Sequence, residues 1–145
     1  VSSPLVAAVD LIASTWEALT PPDRASERYK EDQHKKLGAD VSSHRKFAFS
    51  FPEGPDPDLQ DGPEKTVVAW EISAEVLISS RGRNHRDAVE AYTNEVVLLR
   101  RSIDKLSNFP AGVLDLSVGT VSSERRGDHD RAAIFTFELL TEETD

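Results

Sequence analysis

Within Lys65 to Ser79 every second residue from Val68 to Ile78 is apolar, and no other feature limits the chain's possible folds as strongly. Val68, Trp70, Ile72, Ala74, Val76 and Ile78 fall on one side, with Glu71, Ser73 and Glu75 on the other. A period of two with one dry face is the pattern of a half-buried β-strand. At ~3.3 Å per residue such a strand runs to roughly 50 Å, well beyond the average strand. A strand this long in a small chain has more edge than its own domain needs, which points toward assembly rather than catalysis.

The segments around it supply the layers. Ser3-Pro4 offers an N-cap and a proline at the first helical position, after which Leu5, Val9, Ile12, Trp16 and Leu19 recur at four- and three-residue steps. Pro21-Pro22 ends that helix, because proline lacks an N–H to donate and pushes the residue before it out of the helical region. Asp23 to Lys46 is densely charged, with Leu37 and Val41 almost its only large aliphatic residues, and reads as an exposed connection. In Lys46-Phe-Ala-Phe-Ser-Phe51 the phenylalanines share one face, as in a strand laid on a core. The acidic, proline-rich stretch 52–64 is a loop joining that strand to the long one, and loops of its length tend to be functional or disordered.

A second helix follows the long strand, on the spacing of Val89, Tyr92, Val96, Leu99, Ile103 and Leu106. Glu90, Asn94, Glu95, Arg101, Asp104 and Lys105 are expected on its outer side, and Asn108 with Pro110-Ala-Gly112 stops it. Strands then read around Val113 to Val121 and Ala132 to Leu140, joined by a turn through Glu124 to Asp128 in which Gly127 can supply positive φ. The expectation is a single domain over residues 1–145 of the α+β class. Its four-stranded, mainly antiparallel sheet would carry two helices on one face, in the order α-β-β-α-β-β.

Composition narrows the function. With a net charge of −9 the chain opposes the balance of proteins that neutralise phosphates, but suits one that stays near DNA without adhering to it. Cysteine is absent, which removes disulfides, thiolate metal sites and cysteine nucleophiles. His34, His44, His85 and His129 lie in polar segments without a helical metal spacing, so no metal or cofactor is expected. Glu53, Asp56, Asp58 and Asp61 sit on a loop ill suited to fixed catalytic geometry, and solvation or weak divalent-cation binding are their readings. No nucleophile elbow, phosphate loop or P-loop is present, so the chain is not expected to be an enzyme. No apolar run approaches the ~20 residues of a spanning helix, and the N-terminus lacks the order of a signal peptide, which predicts a cytoplasmic site of synthesis and no membrane partner. Arg81, Arg83 and Arg86 collect positive charge at a helix N-terminus, where the dipole favours anions. Solvent and local ion pairs, phosphate, the acidic loop of the same chain or that of another copy would answer them.

Three segments, Trp70-Glu-Ile-Ser-Ala-Glu-Val-Leu-Ile-Ser-Ser-Arg81, Ala88-Val-Glu-Ala-Tyr-Thr-Asn-Glu-Val-Val-Leu-Leu99 and Arg126-Gly-Asp-His-Asp-Arg-Ala-Ala-Ile-Phe-Thr-Phe-Glu-Leu139, resemble the tail terminator, or tail-completion, proteins of long-tailed bacteriophages. Asp23 to Lys46 and Pro52 to Pro63 carry no pattern of that family. The resemblance implies a virion subunit, assembled in the host cytoplasm, that forms a homo-oligomeric ring, usually a hexamer, on the last ring of the tail tube. Such a ring ends tube growth and presents a surface to the head-neck connector protein, while DNA passes its lumen without specific binding. A head-tail connector or stopper subunit of the neck, or a non-viral cytoplasmic binding module, is the alternative expectation.

In such a ring two different patches meet head to tail. Arg81, Arg83 and Arg86 of one subunit are expected to face Asp56, Asp58 and Asp61 of the next, with Glu71 and Glu75 on a surface turned to a neighbour or the lumen. Changing the three arginines to glutamate should therefore weaken the oligomer, more so at low salt, where charge repulsion is least screened. Sedimentation velocity reads the outcome; an unchanged oligomer would exclude this pairing.

Overall fold

The computed structural model describes residues 3–21, 29–32, 45–50, 60–61, 65–79, 84–126 and 130–144. Within them the chain forms α1 (Pro4–Glu17), β1 (Lys30–Glu31), β2 (Lys46–Ser50), β3 (Gln60–Asp61), β4 (Lys65–Ser79), α2 (His85–Asp104), β5 (Val113–Arg126) and β6 (Asp130–Thr144). The long alternating segment is indeed one strand, β4, and β6 pairs with it along its whole length, from Lys65 opposite Thr144 to Ser79 opposite Asp130.

The sheet corrects the four-stranded, mainly antiparallel expectation. Strands lie side by side in the order β1-β2-β4-β6-β5, and β3 pairs off this row with the start of β4, opposite Thr66 and Val67. The sheet is mixed, because β1 runs parallel to β2. The element order becomes α-β-β-β-β-α-β-β in place of α-β-β-α-β-β. The reason is physical: β1 and β3 are two residues each, too short for any alternation to register, and both lie in charged or proline-rich sequence. The last two strands also run further than their apolar residues suggested. β5 continues to Arg126 and β6 begins at Asp130, since pairing to a neighbour satisfies the backbone whatever the side chains are. Gly127 and its expected positive φ lie outside the described residues.

Both helices contribute to one core on one face of the sheet. Phe47 and Phe49 from β2, Ile72, Ala74, Val76 and Ile78 from β4, Phe135, Phe137 and Leu139 from β6, and Leu116 and Val118 from β5 meet Ala8, Val9, Ile12 and Trp16 of α1 and Leu99 and Ile103 of α2. Trp16 is the hub. Its ring stands edge-on to Phe47 at 5.2 Å, tilts against Phe135 at 5.1 Å and Phe137 at 5.8 Å, and stacks with Phe49 at 6.4 Å. Its indole N–H donates to the carbonyl of Leu99 at 3.2 Å, so one side chain fills the aromatic face of the sheet and ties α1 to α2.

α1 begins as its sequence specifies, with the Ser3 hydroxyl accepting from the Val6 N–H at 3.3 Å and Pro4 in the first turn. Gly112 is needed where β5 starts. Its φ is +86°, and a Cβ there would lie 2.6 Å from Cγ of Pro4, so the start of α1 rests directly on this backbone. The adjoining carbonyl of Gly112 accepts from the Glu142 N–H at 2.7 Å, joining the same point to β6.

Replacing Trp16 with alanine removes both the hub and the link between helices. The expected cost is about 3–5 kcal/mol, the range for truncating a buried large aromatic. Urea unfolding measures it, and a loss below about 1 kcal/mol would contradict the central packing role of this ring.

Candidate functional surfaces and a buried charge cluster

The residues expected at a subunit interface fall in different places. Arg81, Arg83, Asp56 and Asp58 lie outside the described residues. Asp61 is in β3, its backbone opposite Thr66. Arg86 is exposed in the first turn of α2. There the helix already has a negative neighbour: Asn84 caps it by accepting from the Asp87 N–H at 2.9 Å, and the Asn84 amide donates to the Asp87 carboxylate at 3.0 Å. Asp87 thus complements the positive end of the helix dipole from within the first turn.

Glu71 and Glu75 share the sheet face opposite the helices, but in different surroundings. Glu71 is exposed and lies directly across from Glu138, which is exposed as well. Two like charges at opposed positions repel, which solvent eases and burial would not. Glu75, by contrast, is buried and ion-paired to Arg126, which also reaches Glu124 at 3.3 Å. Arg126 comes from the far end of β5, so this pair fastens the outer strand to β4 across β6. At the same end, on the helix side, Arg131 lies opposite Arg125 and its guanidinium stands 5.8 Å from the centroid of the Tyr92 ring.

The most constrained polar group is the Glu95 carboxylate, which lies inside and not on the expected outer side of α2. Glu95 of α2 is buried, and a single carboxylate oxygen, Oε1, accepts from Nε of Arg45 at 2.6 Å and from the Tyr29 hydroxyl at 2.9 Å. Arg45 and Tyr29 are buried too. An ionised carboxylate in such a place is tolerable only with a counter-ion and hydrogen-bond donors around it, and the arrangement meets that demand. Backbone holds Arg45 in position. It has φ +66°, an uncommon state for a long side chain, fixed by its N–H donating to Leu77 at 2.8 Å and its carbonyl accepting from Lys30 at 3.1 Å. With all three side chains buried and Oε1 taking two donors, the cluster acts as a pin between α2, β1 and β2.

Glu95 carried a signal. It stands three residues after Tyr92 and four before Leu99, inside the apolar stripe of α2, so its position is internal by spacing alone. Tyr29 is the one aromatic residue of the charged segment Asp23 to Lys46. Arg45 gave none, because a left-handed arginine is fixed by tertiary contacts. Of the histidines, His85 opens α2, and His34, His44 and His129 lie outside the described residues. Among the described residues no group of three or more His, Cys, Asp or Glu side chains is close enough to hold a metal ion. No helix among them is long and apolar enough to cross a membrane.

No protein-family model and no curated protein matches this chain.

Burial raises the pKa of Tyr29 above the ordinary tyrosine value, and the negative charge of Glu95 raises it further against an opposing effect of Arg45. The folded state therefore keeps its phenol proton where the unfolded chain loses it. This contribution to stability is fully present below the unfolded pKa of ~10 and declines as pH rises above it. Between about pH 9 and pH 11 the wild type should lose stability more steeply than Tyr29→Phe, read as the shift in urea midpoint. Parallel slopes would show that the hydroxyl titrates alike in both states.

Proposed function

We propose that this chain is a structural subunit that assembles into a closed ring capping a phage tail tube, ending its growth and offering a face to the head-neck connector. The observation that carries this reading is the antiparallel slab β4–β6–β5. Its strands of 14 and 15 residues are long for a domain of this size. The outermost, β5, has a strand partner on one side only among the described residues. An edge of that length is a place for a neighbour. The likeness of Trp70 to Leu139 to tail terminators supports the same reading, since β4, α2 and the β5–β6 hairpin fall in that span.

The ring reading gives the acidic balance a role. A net charge of −9 per subunit, repeated around a lumen, repels the DNA backbone and lets it pass without adhering. Exposed Glu71 and Glu138, across from each other on the sheet face away from the helices, are the described residues that best suit such a surface. The core occupies the helix-side face of the sheet, and the opposite sheet face and the β5 edge are the surfaces this reading uses.

Electron microscopy of the purified protein tests this, alone and with polymerising tail tubes. Closed rings with an open centre, found at tube ends when tubes are present, are the expected result. Monomers at all concentrations together with uncapped tubes would contradict it.

A further inference from the structure

Among the described residues, the outer side of β2 is covered by very little chain. β4 lies on one side of it; on the other stands β1, two residues long and paired only as Lys30 to Lys46 and Glu31 to Phe47. Two backbone bonds flank that pairing, Lys30 N–H to the Arg45 carbonyl at 3.1 Å and Asp32 N–H to the Phe47 carbonyl at 2.7 Å. A two-residue parallel strand is not held by its ladder, since a pairing so short has almost no cooperativity. What precedes it is Tyr29, fully buried and bonded to Glu95, and what precedes β2 is Arg45, bonded to the same oxygen.

We propose that Tyr29, Arg45 and Glu95 form a clasp that closes β1 over the edge of β2, and that this clasp opens as a local unit while the β4–β6–β5 slab stays folded. Closed, it covers the carbonyls of Arg45 and Phe47 and leaves β2 no open acceptors at that point. Open, it presents them as the start of a free sheet edge, the kind of surface to which another strand adds. A buried ion pair suits such a device better than apolar packing does. Its attraction depends on having both partners in place, so the closed position is sharply specified, and withdrawing one partner takes a short charge-assisted hydrogen bond from a buried group. The slab is held by its ladder as well as by the Arg126–Glu75 pair, because β6 is paired on both sides along its length.

Residue-resolved amide hydrogen exchange on the full chain tests it, following Lys30 and Asp32 in the strap and Phe135 and Phe137 in β6. Glu95→Gln keeps the shape of the side chain but removes the charge facing Arg45. It should speed exchange at Lys30 and Asp32 on the order of tenfold beyond any change at the two β6 amides, as expected for a lost charge-assisted bond. Equal acceleration at all four amides would mean that the cluster opens only with the whole domain, and no acceleration would mean that it does not hold the strap; either overturns the proposal. If Glu95→Gln does not fold, Tyr29→Phe takes its place. That variant keeps the buried ring and the Arg45–Glu95 pair, and the same selective rise at Lys30 and Asp32, smaller in size, is required of it.

Discussion

A carboxylate and a guanidinium meeting out of water set more of this structure than any other contact. Glu95 and Arg45 lie 2.6 Å apart with both side chains nearly fully buried. Separating them would take a charge-assisted hydrogen bond from two buried groups, at a cost of several kcal/mol. Together they allow one placement of α2 over the sheet. Because Arg45 also bonds through its backbone to Leu77 of β4 and to Lys30 of β1, and directly precedes β2, that single pair relates the helix to three strands at once.

The aromatic packing answers the same problem from the other helix. Trp16 spreads over the phenylalanines of β2 and β6 and donates its indole N–H to Leu99, so α1 is placed relative to both sheet and α2. Gly112 lets the start of α1 rest on the start of β5, where a side chain would collide with Pro4. One face of the sheet is thereby filled. The opposite face carries exposed Glu71 and Glu138 beside the buried Glu75, and β5 has a strand partner on one side only among the described residues.

Period-two alternation made β4 legible in the sequence, and the four-three spacing did the same for both helices, because each pattern repeats often enough to stand above chance. The extra strands were not legible. Lys30–Glu31 and Gln60–Asp61 are strands only because β2 and β4 offer them backbone partners, and a two-residue pairing leaves no trace in side-chain pattern. Glu71 and Glu75 look equivalent in sequence, two positions of the same polar side, yet one is exposed and the other is buried against Arg126. The difference comes from which residue of β5 reaches across β6, a matter of register that alternation cannot encode. Glu95 shows the opposite failure: its spacing was internal, and its charge argued otherwise until Arg45 and Tyr29 supplied the partners.

The dependence on that charge pair is open to direct measurement by a double-mutant cycle. Urea unfolding of Arg45→Met, Glu95→Leu and the double variant gives the coupling between the two side chains. If the pair fixes α2 on the sheet, each single change is severe and the double change costs less than their sum by more than about 1 kcal/mol, since removing both leaves no stranded charge. Additive losses would show that Arg45 and Glu95 act independently, and that the placement of α2 rests on apolar packing alone.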